Sequence, residues 1–198
     1  MSPEAWHTLL ALCVVSAGAS VAAAQRSNKP PEPIEGQGGK DSVWVPTPPA
    51  LIERMLDMAC VTAQDYVIDL GSGDGRMVIA AAKRGARALG VEYNPMLVEA
   101  ARRTAALEDV AHRATFVQGD LYDADVSEAT VLALFLLPEN LRRLRLKFDG
   151  LRAGTRIVTN RFEIDGWAPA AVSRIGGYSE SCCTARLYIT PAEIPSRQ

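Results

Sequence analysis

Asp69-Leu70-Gly71-Ser72-Gly73-Asp74-Gly75-Arg76 is the stretch that decides the fold of this chain. Before it, Tyr66-Val67-Ile68 is a short β-branched and aromatic run that reads as a buried strand. After it, Met77-Val78-Ile79-Ala80-Ala81-Ala82-Lys83 reads as a helix. Strand, glycine-rich turn and helix form the first unit of a nucleotide-binding α/β fold. There the glycines let backbone approach a ligand closely, and the helix N-terminus offers free N–H groups. The spacing is Asp-x-Gly-x-Gly-x-Gly, not the Gly-x-Gly-x-x-Gly of dinucleotide sites, and no Lys-Ser/Thr pair follows to make a P-loop. An acid at the strand end, Asp69, sits badly beside a pyrophosphate. It suits a ligand that carries an ammonium group and a sulfonium.

S-adenosylmethionine is such a ligand, and the next two strands add to that reading. Ala86-Arg87-Ala88-Leu89-Gly90-Val91 reads as a second strand ending at Glu92, 19 positions beyond Gly73. An acid about 20 residues on is placed to take both ribose hydroxyls. Carboxylates only accept, and a vicinal diol presents two donors. Asn94 then reads as an N-cap and Pro95 as the first helical residue. A third strand, Thr115-Phe116-Val117-Gln118, leads through Gly119 to Asp120 and Leu121. Asp120 is a candidate acceptor for the exocyclic amine of adenine. Leu121 offers a backbone N–H and an apolar wall to the ring. A plain strand-to-helix turn, a solvent-facing strand-end acid and an ordinary Gly-Asp turn are the blander readings of the three pieces taken singly.

With these residues in order, the chain resembles the class I, seven-stranded S-adenosylmethionine-dependent methyltransferases. It is closest to the protein-lysine methyltransferases acting on adenine nucleotide translocase and on the ATP synthase c-subunit, together with their bacterial relatives. The residues that carry the likeness are Val45-Pro46-Thr47-Pro48, the Asp69–Arg76 turn, Gly90-Val91-Glu92-Tyr93-Asn94-Pro95 with Leu97-Val98, Phe116-Val117-Gln118-Gly119-Asp120-Leu121, and Arg161-Phe162 followed by Trp167. It covers roughly Trp44 to Pro191. The resemblance implies a Rossmann-like doubly wound α/β sheet, mostly parallel, with a C-terminal antiparallel hairpin. It also implies S-adenosylmethionine as cofactor, held by Asp69, Gly71, Ser72, Gly73, Gly75, Glu92, Asn94, Asp120 and Leu121. The fourth strand departs from one branch of the superfamily. It ends in Phe135-Leu136-Leu137-Pro138, with no acid or amide before the proline, so methylation of base amino groups loses support. No acidic cluster there points to a divalent metal.

The remaining elements fit one domain. Leu51, Ile52, Met55, Leu56 and Ala59 recur at helical spacing ahead of the first strand, and Val131-Leu132-Ala133-Leu134-Phe135 reads as a strand covered on both faces. Leu141, Leu144 and Phe148 form one helical stripe after Pro138, with Arg142, Arg143, Arg145 and Lys147 largely off it. Thr155-Arg156-Ile157-Val158-Thr159 reads as the fifth strand. Ala171–Ile175 and Cys183–Ile189 read as an antiparallel pair.

Of the 198 residues 48% are hydrophobic and 22% charged, with a formal net charge of -2, so no polyanionic partner is advertised. Residues 1–24 are read as a signal peptide or membrane anchor, because Trp6 to Ala24 is nearly free of charge and ends in an Ala-x-Ala pattern. The n-region lacks Lys and Arg, and the apolar length is near the minimum for a span. The protein is therefore expected to be exported or membrane-anchored, facing the cytosol if uncleaved, since Arg26 and Lys29 follow the apolar stretch. Residues 25–43, with three prolines and three glycines before Val43, read as a flexible linker, and residues 44–198 as the methyltransferase domain. If Cys13 leaves with the leader, Cys60, Cys182 and Cys183 remain, an odd set that makes no complete disulfide pairing and shows no zinc spacing.

Methyl transfer needs alignment and exclusion of water, and a lysine acceptor must first lose a proton. Candidate acceptor-site residues are Phe135, Asn160, Phe162 and Trp167, with Trp44 and Tyr93 as further aromatic walls and Glu139 and Glu163 as further polar groups. The expected partner is a protein with an exposed lysine, membrane proteins among the candidates, with no nucleic acid and no metal, and the enzyme acting as a monomer. A small-molecule or lipid methyltransferase and a non-catalytic S-adenosylmethionine-binding module are the alternatives. The absence of a large capping insertion favours a protruding side chain over an enclosed metabolite.

Overall fold

The computed structural model describes residues 34–38, 40, 43–176 and 183–191. Helices α1 (Pro49–Met58), α2 (Arg76–Lys83) and α3 (Pro95–Leu107) alternate with strands β1 (Tyr66–Leu70), β2 (Arg87–Glu92) and β3 (Ala114–Gln118). Strand β4 (Val131–Leu134) is followed by α4 (Pro138–Arg143), α5 (Arg145–Asp149) and β5 (Arg156–Asn160). Strands β6 (Ala171–Arg174) and β7 (Thr184–Ile189) complete the described chain. The sheet order is β3-β2-β1-β4-β5-β7-β6. β1 to β5 pair in parallel, and β7 runs antiparallel to both β5 and β6. The doubly wound sheet with its C-terminal antiparallel pair is as expected. The order reverses between β1 and β4, and ligands in open α/β sheets bind outside the carboxyl ends of strands at such a point.

Two cores cover the two faces of the sheet. Successive residues of β4 serve them in turn: Val131 and Ala133 join the core under α1, α2 and α3, while Leu132 and Leu134 join the one under α4 and α5. That is the period of two of a strand buried on both sides. Leu51, Ile52, Met55 and Leu56 carry α1 onto the first core, beginning after Pro48. The side chain of Asn94 accepts the Met96 N–H at 2.9 Å and starts α3 with Pro95 in its first turn. Behind the sheet, Asp65 joins the starts of β1, β4 and β5. It accepts from the Thr62 N–H and the Thr130 hydroxyl at 2.8 Å each, and pairs with Arg156. Burial pushes its carboxyl up, but these three donors outweigh burial and hold it below the usual range.

Two expectations are corrected. The single stripe Leu141-Leu144-Phe148 is carried by two short helices, because the backbone flattens at the fully buried Leu144 (ψ -6°) and the Lys147 N–H tightens to Leu144 O at 2.9 Å. The Nζ of Lys147 is meanwhile tied to Ala124 O, and Asn140 to Tyr122, on the loop after β3. The exported or membrane-anchored location is also corrected: among the described residues no helix is long and apolar enough to cross a membrane. The leader or anchor reading falls on residues 1–24, outside the described ones, as does Cys182. Within the stretch read as a linker, Gly38 and Val43 form an antiparallel bridge, and Gly36 and Gln37 exchange backbone hydrogen bonds with Trp44 at 2.8 and 2.9 Å.

Candidate active site

A cavity of about 350 Å³ opens at the carboxyl ends of the central strands. That lies within the range of roughly 300–1,000 Å³ typical of small-molecule sites. Asp69 at the end of β1, Gly71 and Ser72 of the turn, Glu92 of β2, and Asp120 with Leu121 beyond β3 line one half. Phe135, Leu136 and Leu137 beyond β4, Asn140 of α4, and Arg161 with Phe162 beyond β5 line the other.

The first half is wired by its own backbone. The amides of Gly71 and Ser72 both donate to Val91 O, at 2.8 and 3.1 Å, which fixes the turn over β2. Glu92 Oε2 accepts the Gly73 N–H at 2.9 Å and Oε1 accepts the Asn94 N–H at 2.8 Å. The strand-end acid therefore staples the glycine turn to the start of α3. A carboxylate has about four acceptor positions, so two remain for a diol. Asp69 is 7% exposed, and burial, then the charges of Glu92 and Asp74, push its carboxyl up to about 8.

Two glycines of the turn do different work. Gly75 adopts φ 81° at the start of α2, and a Cβ there would stand 2.7 Å from Ala101 Cβ and collide with the Phe116 ring. It lets α2, α3 and β3 close together. Gly73, at φ 56°, lies directly under the indole of Trp44. That indole has the Arg76 guanidinium 6.0 Å from its centroid, and Arg76 in turn pairs with Asp74 and donates to Thr47 O at 3.0 Å. Trp44 thus closes one side of the cavity.

At the far rim, Lys40 pairs with Asp120 and lies 5.5 Å above the Tyr93 ring. This ammonium and the Tyr122 N–H hold the Asp120 carboxyl below its usual range. Asn140 donates to the Tyr122 hydroxyl at 2.7 Å. Sequence patterning does not single out Lys40, Asn140 or the side chain of Arg161. Arg161-Phe162 stands out in the sequence only as part of the family likeness.

Not every expected residue reaches the cavity wall. Gly73 and Gly75 shape the turn behind it, and Asn94 is spent on capping α3. Trp167 packs edge-on against Tyr188 with centroids 6.4 Å apart, beneath Arg145, on the α4–α5 side of the sheet. Its predicted place in the acceptor wall is corrected: the loop after β5 folds back onto that core. Asn160 is 1% exposed behind the wall, with neither side-chain polar atom hydrogen-bonded. Among the described residues no group of three or more His, Cys, Asp or Glu is placed to hold a metal ion.

The residues fit S-adenosylmethionine. Acids stand at three successive strand ends, and the Ser72 hydroxyl is buried without a protein partner. A buried hydroxyl left open in this way is a group that a ligand can satisfy.

The comparisons with known proteins agree. Residues 69–171 match the family model described as the ANTKMT methyltransferase domain. A protein-lysine N-methyltransferase of Saccharolobus islandicus is 42% identical over 135 residues, covering 67% of this chain and 84% of that protein. The Xenopus laevis lysine N-methyltransferase of the ATP synthase c-subunit is 35% identical over 127 residues, covering 64% of this chain and 56% of that one. The chain thus spans little more than half the length of the latter. A solved structure described as an RNA methyltransferase from Salinibacter ruber, in complex with S-adenosylhomocysteine, superposes with a TM-score of 0.71 at 43% identity. That match covers 77% of this chain and 98% of the other. The chain belongs to the ANTKMT methyltransferase domain family and is an S-adenosylmethionine-dependent methyltransferase.

Proposed function

We propose that the methyl acceptor is the side-chain amine of a protein lysine, and that residues 44–198 form the domain that transfers to it. The observation that carries this reading is the acceptor half of the cavity. Phe135, Leu136 and Leu137 line it where a base-methylating site needs an acid or amide to hold an exocyclic amine. A lysine needs an apolar channel and aromatic faces that tolerate a cation after transfer. The relatives named as lysine methyltransferases support the same acceptor.

In this assignment Asp69 would hold the cofactor's ammonium, Glu92 its ribose hydroxyls, Asp120 the adenine amine, and Leu121 would cover the ring. Gly71 and Ser72 let the backbone approach it. The bound cofactor supplies an electrophilic methyl group on a sulfonium. Phe135 and Phe162 exclude water from the approach line and disfavour the charged form of the entering amine, which leaves its lone pair free.

RNA as the acceptor is the second reading, favoured by the description of the Salinibacter structure. One experiment separates the two. Tritiated cofactor is incubated with the full chain and fractionated lysate, membrane fraction included, and the product is split between protease and nuclease. Label released by protease and recovered as methyl-lysine is expected. Label released by nuclease, or found in a small metabolite, rejects the lysine reading.

A further inference from the structure

The turn that leaves β5 adopts a shape its sequence does not favour. Arg161 has φ 68°, a region that non-glycine residues enter only when their surroundings hold them there. Its N–H donates to Thr184 O at 2.8 Å, and Arg186 donates to its carbonyl at 2.6 Å. The Phe162 N–H donates to Asn160 O at 2.8 Å, and the Thr159 hydroxyl to Phe162 O at 2.7 Å. The bend puts Arg161 and Phe162 side by side on the cavity wall, guanidinium 4.9 Å from ring centroid. Directly before them stands Asn160, buried and unpartnered. A strained residue beside an unsatisfied buried amide marks a turn shaped for something other than stability.

Arg161 is an exposed residue, and among the described residues the Phe162 ring is its side-chain contact and no carboxylate pairs with it. The nearby Glu163 is taken by Arg186 at 3.0 Å. The other two cations lining the cavity, Lys40 and Arg76, are each held by an acid, Asp120 and Asp74. The β4–β5 half contributes no carboxylate to the lining.

A fixed cation acts on the ionisation of any amine brought beside it, because a like charge disfavours the ammonium form. Only the neutral amine can attack. We infer that Arg161 is a specificity-determining residue that keeps the acceptor amine neutral on the β5 side of the cavity. The inference rests on the lysine reading above. The proton leaves to water on entry, since among the described residues this half lines the cavity with no carboxylate. The amine lone pair then forms the N–CH₃ bond while the S–CH₃ bond breaks, its electron pair stays on sulfur as a neutral thioether, and the positive charge ends on nitrogen. The other titratable and charged groups lining the cavity are Asp69, Asp74, Glu92, Asp120, Tyr93, Arg76 and Lys40, and the Arg186–Glu163 pair stands on β7 and the turn. Of these Asp69 has its carboxyl pushed up to about 8 by burial, so rates are read at saturating cofactor.

The test uses the full chain, tritiated cofactor at saturation and a rising series of nuclease-treated total protein from cells lacking the enzyme, with kcat followed against pH, because kcat reports the ionisation of the bound amine. Arg161→Gln should move the acid limb of the profile up by about half to one pH unit. Arg161→Lys should leave the limb in place. Arg161→Gly relieves the bend, so it should melt no lower than wild type and still show the shifted limb. Cofactor affinity, by calorimetry, should stay within about twofold in all three. An unmoved limb in Arg161→Gln overturns the proposal, and so does an equal shift in Arg161→Lys. An unmoved limb with cofactor affinity lost more than about fivefold assigns the guanidinium to the cofactor's carboxylate and also overturns it. Wild-type label confined to nucleic acid removes the lysine reading itself, before any variant is compared.

Discussion

The two halves of the cavity are built on opposite principles. Around Glu92 and Asp120 most polar groups are tied into the fold: Glu92 holds two amides, Asp120 holds Lys40 and the Tyr122 amide, and the Gly71 and Ser72 amides are spent on Val91, which leaves the Ser72 hydroxyl as the buried group open to a ligand. Around Phe135, Asn160 and Arg161 an amide is left unsatisfied, a guanidinium has no carboxylate partner among the described residues, and a non-glycine residue is held at φ 68°. Such strain costs on the order of 1–3 kcal/mol. A rigid half suits a ligand that is the same in every reaction cycle. An open, strained half suits an acceptor that must enter, react and leave.

If that contrast is right, the largest effects lie in the rigid half. Gly75→Val should destabilise the protein by about 2–5 kcal/mol, combining the penalty for a left-handed valine with overpacking against Phe116 and Ala101. Chemical denaturation measures it. Gly73→Val carries the same left-handed penalty, but the atoms nearest its Cβ belong to the Trp44 indole, a side chain at the edge of the cavity. It should stay folded yet bind no cofactor. Equal stability of the two variants would erase the distinction between a glycine packed between secondary-structure elements and one packed under the Trp44 side chain. Next comes Glu92→Ala. Losing a charge-assisted acceptor should weaken cofactor binding by about 1.5–3 kcal/mol, and the orphaned Gly73 and Asn94 amides should lower stability by about 1–3 kcal/mol. Loss of affinity with unchanged melting would mean that the staple contributes nothing.

The same contrast explains what could be read from sequence. The cofactor half depends on local chemistry: glycines where φ is positive, an acid at a strand end, Asn94-Pro95 opening a helix. Each is visible in a few consecutive residues. The acceptor half depends on how distant segments meet. Nothing near Trp167 signals that it turns toward Tyr188 instead of the cavity, because Tyr188 lies on β7. The bend at Arg161 is imposed by Thr184 and Arg186, and the break at Leu144 accompanies anchors to the loop after β3. Periodicity places Leu141, Leu144 and Phe148 on one buried face correctly, yet it cannot show that two helices share it.

Asp69 offers a smaller and more selective test. Its carboxyl lies near 8 in the folded protein against 3.8 as its ordinary value. Between those values the folded protein keeps the proton that the unfolded chain releases, so this group's contribution falls as pH rises from about 4 to 8. Asp69→Asn should remove that loss and gain stability relative to wild type toward pH 8. An ammonium ligand prefers the ionised acid, so wild-type cofactor binding should release a proton and tighten with pH, by at most about tenfold per unit below the carboxyl's own value. Calorimetry in buffers of different ionisation enthalpy reports the proton. Binding independent of pH, with no proton released, would mean that the ammonium does not sit at Asp69.

The smallest effect is expected at the rim. Lys40 reaches Asp120 from the short hairpin before Trp44, and both groups retain solvent contact, so the pair should contribute no more than about 1 kcal/mol to stability. Its consequence for the cofactor has the opposite sign. Asp120 Oδ1 accepts from the Tyr122 amide and Oδ2 from Lys40, so two of the carboxylate's about four acceptor positions remain for an adenine amine, one of them on the oxygen the ammonium also holds. Removing the ammonium leaves that oxygen to the amine alone, although it also removes the cation above Tyr93. Lys40→Met, which keeps the length of the side chain, should melt within a few degrees of wild type and bind S-adenosylmethionine two- to fivefold more tightly, a change of less than about 1 kcal/mol. The gain should shrink with added salt in step with screening of the wild-type pair. Binding weakened more than tenfold would show instead that Lys40 contacts the ligand, and the rim would then belong to the fixed half of the cavity.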